Sequence, residues 1–185
     1  SKDETEGDRS FAKEEFRGAV VFYTRALAKN KTPFSEERIL FKLGNSYRLA
    51  GENQRAFDFY FSILRKNEDS VYRDRIQSYL RHEAKDLEME TSLGDIELKS
   101  ISLGESVDES ILDLKTKRDK LYLKLLKVLL DSAERPQNYQ LLDLYNTYKS
   151  LQTKYLDSRQ SALKEFGQVL ERKISKKFVS LWMGE

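Results

Sequence analysis

Residues 40–63 read LFKLGNSYRLAGENQRAFDFYFSI, and the fold follows from how this stretch is parsed. Its larger apolar and small residues fall as L-x-x-L-G-x-x-Y-x3-G-x4-A-x3-Y-x2-I, from Leu40 through Leu43, Gly44, Tyr47, Gly51, Ala56 and Tyr60 to Ile63. A weaker copy lies upstream: Ala19, Tyr23 and Ala26 repeat the spacing of Ala56, Tyr60 and Ile63, and Gly7 stands where Gly44 would. The copies are offset by 37 residues. Self-similarity at such a period points to a repeat architecture, in which each unit needs its neighbour to bury its apolar face.

The spacing of residues 40–63 resembles the tetratricopeptide repeat, and the resemblance extends over roughly residues 5–68. It implies two helical hairpins, with Gly44 and Ala56 small where the helices cross, Tyr47 and Tyr60 filling the adjacent space, and Gly51 in the turn at positive φ. The period exceeds the family's usual 34 or so. The three extra residues fit the Lys31-Thr32-Pro33-Phe34 connection, where Pro33 is expected to end one helix and Ser35 to cap the next. The first helix of the upstream copy is acidic and poor in apolar residues, so it is expected either to fray or to serve as a polar cap. In this family the first helix of each pair lines a groove for a peptide or a partner helix, which implies partner-binding roles for Arg38, Phe41, Asn45, Arg48 and Leu49. Asn45 falls where family members place an Asn that bonds a ligand's main chain. The preceding repeat holds Glu4 and Asp8 where a clamp for an acidic C-terminus would need Lys and Asn, which argues against that ligand.

Downstream, Val71, Tyr72, Ile76, Tyr79, Leu80 and Leu87 recur at helical spacing and predict a helix that caps the last repeat. Residues 89–107, in which Ser-Leu-Gly occurs twice, read as a linker, with a hint of alternation at Ile96, Leu98 and Ile101. It divides a hairpin region, 1–88, from a long-helix bundle, 108–185. The bundle is predicted to hold three helices. The first runs from Asp108 to Glu134, with a stripe of Ile111, Leu114, Leu121, Leu125 and Val128 interrupted by Arg118, and residues 121–130 are apolar on nearly every side. Pro136 is expected to open the second, which carries Leu141, Leu144, Tyr145, Tyr148, Leu151 and Tyr155. The third carries Leu163, Phe166, Leu170, Ile174, Phe178 and Leu181 and starts near Asp157 or Ser158. One continuous helix of some forty residues is the alternative; a break is favoured because a compact bundle buries both stripes.

The composition fits a globular all-α chain and narrows its chemistry. Of 185 residues, 35% are charged yet 39% are hydrophobic and 11% aromatic, and two prolines and eight glycines leave room for long helices. The net charge of +2 lacks the excess a nucleic-acid binder shows, and Arg172, Lys173, Lys176 and Lys177 read as a solvated face at a helix C-terminus. No run approaches the ~20 apolar residues of a membrane helix. Without Cys there is no thiol catalysis, disulfide or thiolate metal site. The one histidine, His82, sits between Arg81 and Glu83 and reads as a surface residue. The acid pairs Glu14–Glu15, Glu36–Glu37 and Asp108–Glu109 suit helix starts or exposed faces better than glycoside chemistry. No metal or cofactor is expected. The chain starts on a polar segment, Ser1 to Ser10, without Met; a bacterial envelope protein carries such a charged tether just after its lipidated cysteine, although an artificial start would look the same. The expectation is therefore a non-catalytic adaptor or scaffold that binds another protein, placed in the bacterial cell envelope or periplasm, with the cytoplasm as alternative. The competing expectation is a structural protein that self-associates through its C-terminal helices, where Phe178, Leu181 and Trp182 cluster.

Overall fold

A computed structural model describes residues 1–30, 32–67, 69–101, 109–131 and 138–183, with the side chains of 91–101, 109–110, 138 and 173–183 excepted. The described residues form seven helices and no strand: α1 (Lys2–Ala12), α2 (Phe16–Ala28), α3 (Pro33–Leu49), α4 (Asn53–Lys66), α5 (Arg73–Ile101), α6 (Glu109–Leu130) and α7 (Asn138–Met183). The fold class is all-α, as the sequence predicts. Two compact units divide at Glu83 and Ala84, inside α5 and not in a loop.

In the first unit, each of α1 to α4 packs on its neighbour in the chain. The two hairpins repeat one another at the 37-residue offset, down to individual contacts. Gly7 faces the ring of Tyr23 and Gly44 faces the ring of Tyr60. Tyr23 Oη donates to Asp8 Oδ1 at 2.8 Å, and Tyr60 Oη donates to Asn45 Oδ1 at 2.8 Å. A glycine on the first helix thus admits a tyrosine from the second, and the next residue on the first helix receives the hydroxyl. Burial pushes both phenols well above their ordinary range, so both remain neutral donors. Around these rings Ala19, Leu43, Ala56, Phe57 and Ile63 are fully buried, each larger side chain contributing about 1.5–3 kcal/mol.

The turns repeat as well. Gly51 has φ +79°, as its place in the turn requires, and the equivalent residue of the first hairpin is Glu14 at φ 61°. Both are followed by a glutamate, Glu15 or Glu52, whose carbonyl accepts the first bond of the next helix. A side chain with a Cβ is strained in this region, whereas glycine is not. Glu14→Gly should therefore raise stability by about 0.5–1 kcal/mol, a few degrees in thermal unfolding, where the same change at a helical position would lower it.

Several expectations are corrected. Thr32, not Ser35, caps α3: its Oγ1 accepts from Ser35 N, and Pro33 opens α3 instead of closing α2, since its fixed φ suits the first helical turn. α1 is a formed helix: Ser1 caps it and its Glu4 is buried. Residues 89–101, read as the start of a linker, continue α5 without interruption. The remaining linker residues, 102–107, lie outside the described residues, as do Asp108, Arg135 and Pro136.

The second unit pairs α6 with α7. Tyr122 stacks on Tyr148 with ring centres 4.9 Å apart, and the Arg118 guanidinium lies 4.4 Å from the centre of the Tyr155 ring. Moving back along α6 therefore moves forward along α7, and the helices are antiparallel. Tyr122, Leu125 and Leu126 are buried in the apolar segment expected to be central. Arg118, which interrupts the stripe, is buried too, and its Nε and Nη2 donate to Asp119 Oδ1. The expected break near Asp157 is absent. α7 is one helix of 46 residues, because no proline or glycine lies between Tyr155 and Ala162.

Candidate functional site

The five residues proposed from the repeat pattern all lie on α3, but most are engaged within the chain. Phe41 is only 6% exposed; its ring stacks on Tyr72 at 4.3 Å and approaches Tyr60 at 6.2 Å. It forms part of the wall between α3 and the start of α5 and is not an open anchor. The Oδ1 of Asn45 accepts the Tyr60 hydroxyl, so recognition of a ligand's main chain there would fall to Nδ2. Arg48 lays its guanidinium over Tyr79 at 4.1 Å, and its Nε is buried without a hydrogen bond. Leu49, 42% exposed, is the most accessible of the apolar pair.

Arg38 enters an ion-pair network that the repeat pattern does not anticipate. Its Nε and Nη2 donate to Glu4 Oε1 and Oε2 at 2.8 and 3.0 Å, a bidentate pair between α3 and α1. One turn on, Lys42 Nζ donates to the same Glu4 at 2.9 Å and to Asp8 at 2.6 Å, and it lies 5.6 Å from the centre of the Tyr23 ring. The Glu4 side chain is only 9% exposed. Hydrogen bonds from Arg38 outweigh the opposing effect of burial and, with those from Lys42, hold its carboxyl down at about 2. The two positions where a carboxylate clamp would need Lys and Asn thus hold acids that tie α1 to α3. Lys42 carries no signal in the repeat pattern. The charge pattern does contain one: Glu4 and Asp8 are four apart on α1, and Arg38 and Lys42 are four apart on α3.

A second surface lies on α7. The described part of α6 begins at Glu109, about two and a half turns before Arg118, while α7 continues from Tyr155 to Met183. In that continuation Leu163, Phe166 and Leu170 are 60%, 65% and 47% exposed. These are residues the sequence pattern places on one stripe; its later members Ile174, Phe178 and Leu181, and Trp182, have side chains outside the described set. Isolated exposed apolar residues are ordinary; here three large ones follow one another on a single helix face.

Among the described residues, no group of His, Asp and Glu could hold a metal ion, and no described helix is long and apolar enough to cross a membrane. An open cleft of about 630 Å³ between α6 and α7 is lined by Lys124, Val128, Tyr139, Leu141, Asp143 and Thr147. No known protein family, curated protein or solved structure matches the chain.

Proposed function

We propose that this chain is a non-catalytic protein–protein interaction module, an adaptor or scaffold. The observation that carries the reading is the exposed apolar run of Leu163, Phe166 and Leu170 on α7, a surface suited to another helix. The residue inventory supports it: with one histidine and no cysteine, nucleophile–base pairs are scarce. The first unit is read as two tetratricopeptide-like repeats on the strength of the repeated Gly–Tyr contact and the repeated turn. With Phe41 and Arg48 engaged internally, its α3 face ranks behind α7 as a binding surface.

Chemical cross-linking in native extract, followed by mass spectrometry of adducts, tests the proposal. A polypeptide adduct is expected for the wild-type chain, retained when Arg48 and Leu49 are replaced by Ala and lost with Phe166→Glu. Recovery of the unmodified chain alone, with no polypeptide attached at any cross-linker dose, would refute it.

A further inference from the structure

We infer that the occupant of the α7 face is a second copy of this chain, paired antiparallel about a two-fold axis beside Phe166 and Gly167. The inference rests on the reading of α7 as the binding face and goes further by naming the partner and its register.

At 100° per residue, Leu163, Phe166, Gly167 and Leu170 fall within about 100° of one another, one face of the helix. Arg159 lies on the same face and marks its beginning. Gly167 is the informative member. In a helix interior glycine costs about 1 kcal/mol relative to alanine, and nothing among the described residues explains it: a Cβ added there meets none of their atoms within 4 Å. At two other helical positions glycine permits a close approach. Gly7 and Gly44 each admit an aromatic ring from an antiparallel neighbouring helix, where an added Cβ would meet that ring. At Gly167 no such neighbour is present among the described residues, and the same helix face of a second copy would supply one. Antiparallel pairing about an axis between residues 166 and 167 sets the two Phe166 side chains against each other on one side of the seam, lets the two Gly167 backbones approach on the other, and sets Leu163 opposite Leu170.

The charges select the same arrangement. Asp157, Lys164 and Glu171, spaced by seven, form one flank of the stripe with alternating sign, while Ala162 and Val169 occupy the other flank. A two-fold antiparallel pair brings like flanks together. With the axis at 166–167, Lys164 of each copy lies beside Glu171 of the other, giving two symmetric ion pairs. An axis at Lys164 would oppose lysine to lysine and Asp157 to Glu171. Parallel in-register pairing would set the charged flank against Ala162 and Val169 and form no ion pair. Size agrees as well. Four large side chains, Leu163, Phe166, Val169 and Leu170, each about half exposed or more, leave on the order of 400 Å² of apolar surface per copy. Two such faces bury roughly 800–1,000 Å², the lower end of specific association, so micromolar affinity is expected.

Sedimentation equilibrium of the full chain, from about 1 to about 200 µM, reads the outcome. A monomer–dimer equilibrium is expected, with Phe166→Glu reducing association by roughly a hundredfold while far-UV circular dichroism stays helical. Gly167→Ala discriminates further: it should raise helix stability yet weaken the dimer about tenfold, opposite signs that a merely structural role would not give. K164E and E171K should each weaken association about tenfold, and the double exchange should restore it. A strict monomer throughout, a dimer indifferent to Phe166→Glu, or a charge exchange that does not restore would overturn the proposal. If the purified chain is monomeric while Phe166 is still needed for a cross-linked adduct with a different polypeptide, the second-copy inference fails and the interaction module stands. If neither association is seen, both fail.

Discussion

Gly44→Ala is expected to lower the stability of the hairpin unit by about 3 kcal/mol or more, enough to move a urea midpoint by a molar unit or so. An added Cβ would lie 2.8 Å from Tyr60 Cδ1 and closer still to Cε1. A flexible neighbour could turn aside, but Tyr60 cannot. It is 2% exposed, its hydroxyl is bonded to Asn45, and Phe41 and Tyr79 lie 6.2 and 6.0 Å from its ring centre. The only relief is to move α3 away from α4, which uncovers Leu43, Phe57 and Ile63 at the same time. The better helix propensity of alanine, about 1 kcal/mol, is too small to offset this. Two comparisons make the test specific. Gly7→Ala meets Tyr23 Cε1 at 2.5 Å in the same way, so it should also destabilise the unit. Combining Gly44→Ala with Tyr60→Leu should cost less than the sum of the two changes, because the second removes the obstacle the first creates. A neutral Gly44→Ala would mean that α3 and α4 do not cross at this point.

That contact was legible in the sequence, and it shows which parts of the fold were. Gly44, Ala56, Tyr60 and Gly51 each answer a local geometric need, a close crossing or a positive φ, and local needs leave a mark in residue type. The boundaries were harder because helices end for a reason, and a plausible reason is easily imagined. Residues 89–101 read as a linker on their Ser, Thr and Gly content, yet they contain no proline, and α5 passes through them; weak propensity lowers a helix's stability without terminating it. The break expected near Asp157 came from a global wish to bury both stripes. Continuity is decided locally, and the exposed Leu163 and Phe166 show that burial within the chain is not achieved. The candidate site was hardest. Arg38, Phe41 and Asn45 are on α3 where the spacing puts them, but periodicity cannot say that Tyr72 covers Phe41 or that Glu4 holds Arg38. Those facts depend on which helices are neighbours. The matched pairs of charges, Glu4 with Asp8 and Arg38 with Lys42, are the one signal of it in the sequence, and the repeat pattern does not use them.

Glu4→Gln should destabilise the first unit by about 2–3 kcal/mol at neutral pH, and the effect should vanish in acid. Arg38 and Lys42 both donate to the Glu4 carboxylate, whose side chain is 9% exposed, so removing its charge leaves two cations facing a neutral amide. The pH dependence has a definite sign. The folded carboxyl titrates at about 2 against an ordinary value of 4.5, so the folded state favours the ionised form. The stabilisation is complete above pH 4.5 and is lost as the pH falls from there through 2, where the protonated carboxyl no longer pairs. Urea midpoints for wild type and variant should therefore differ fully at about pH 7, draw together below the ordinary carboxyl value, and nearly coincide at the acid end. A difference that persists unchanged in acid would show that Gln disturbs packing and not charge. The Lys29–Asp3 pair at the start of α1 should weaken with added salt more than the Glu4–Arg38 pair, whose carboxylate is 9% exposed. Because the Glu4 carboxylate joins α1 to α3, acid should release α1 before α3 and α4 open. Amide hydrogen exchange would show this as protection lost first across Lys2–Ala12, at a pH where Phe57 and Tyr60 amides are still protected.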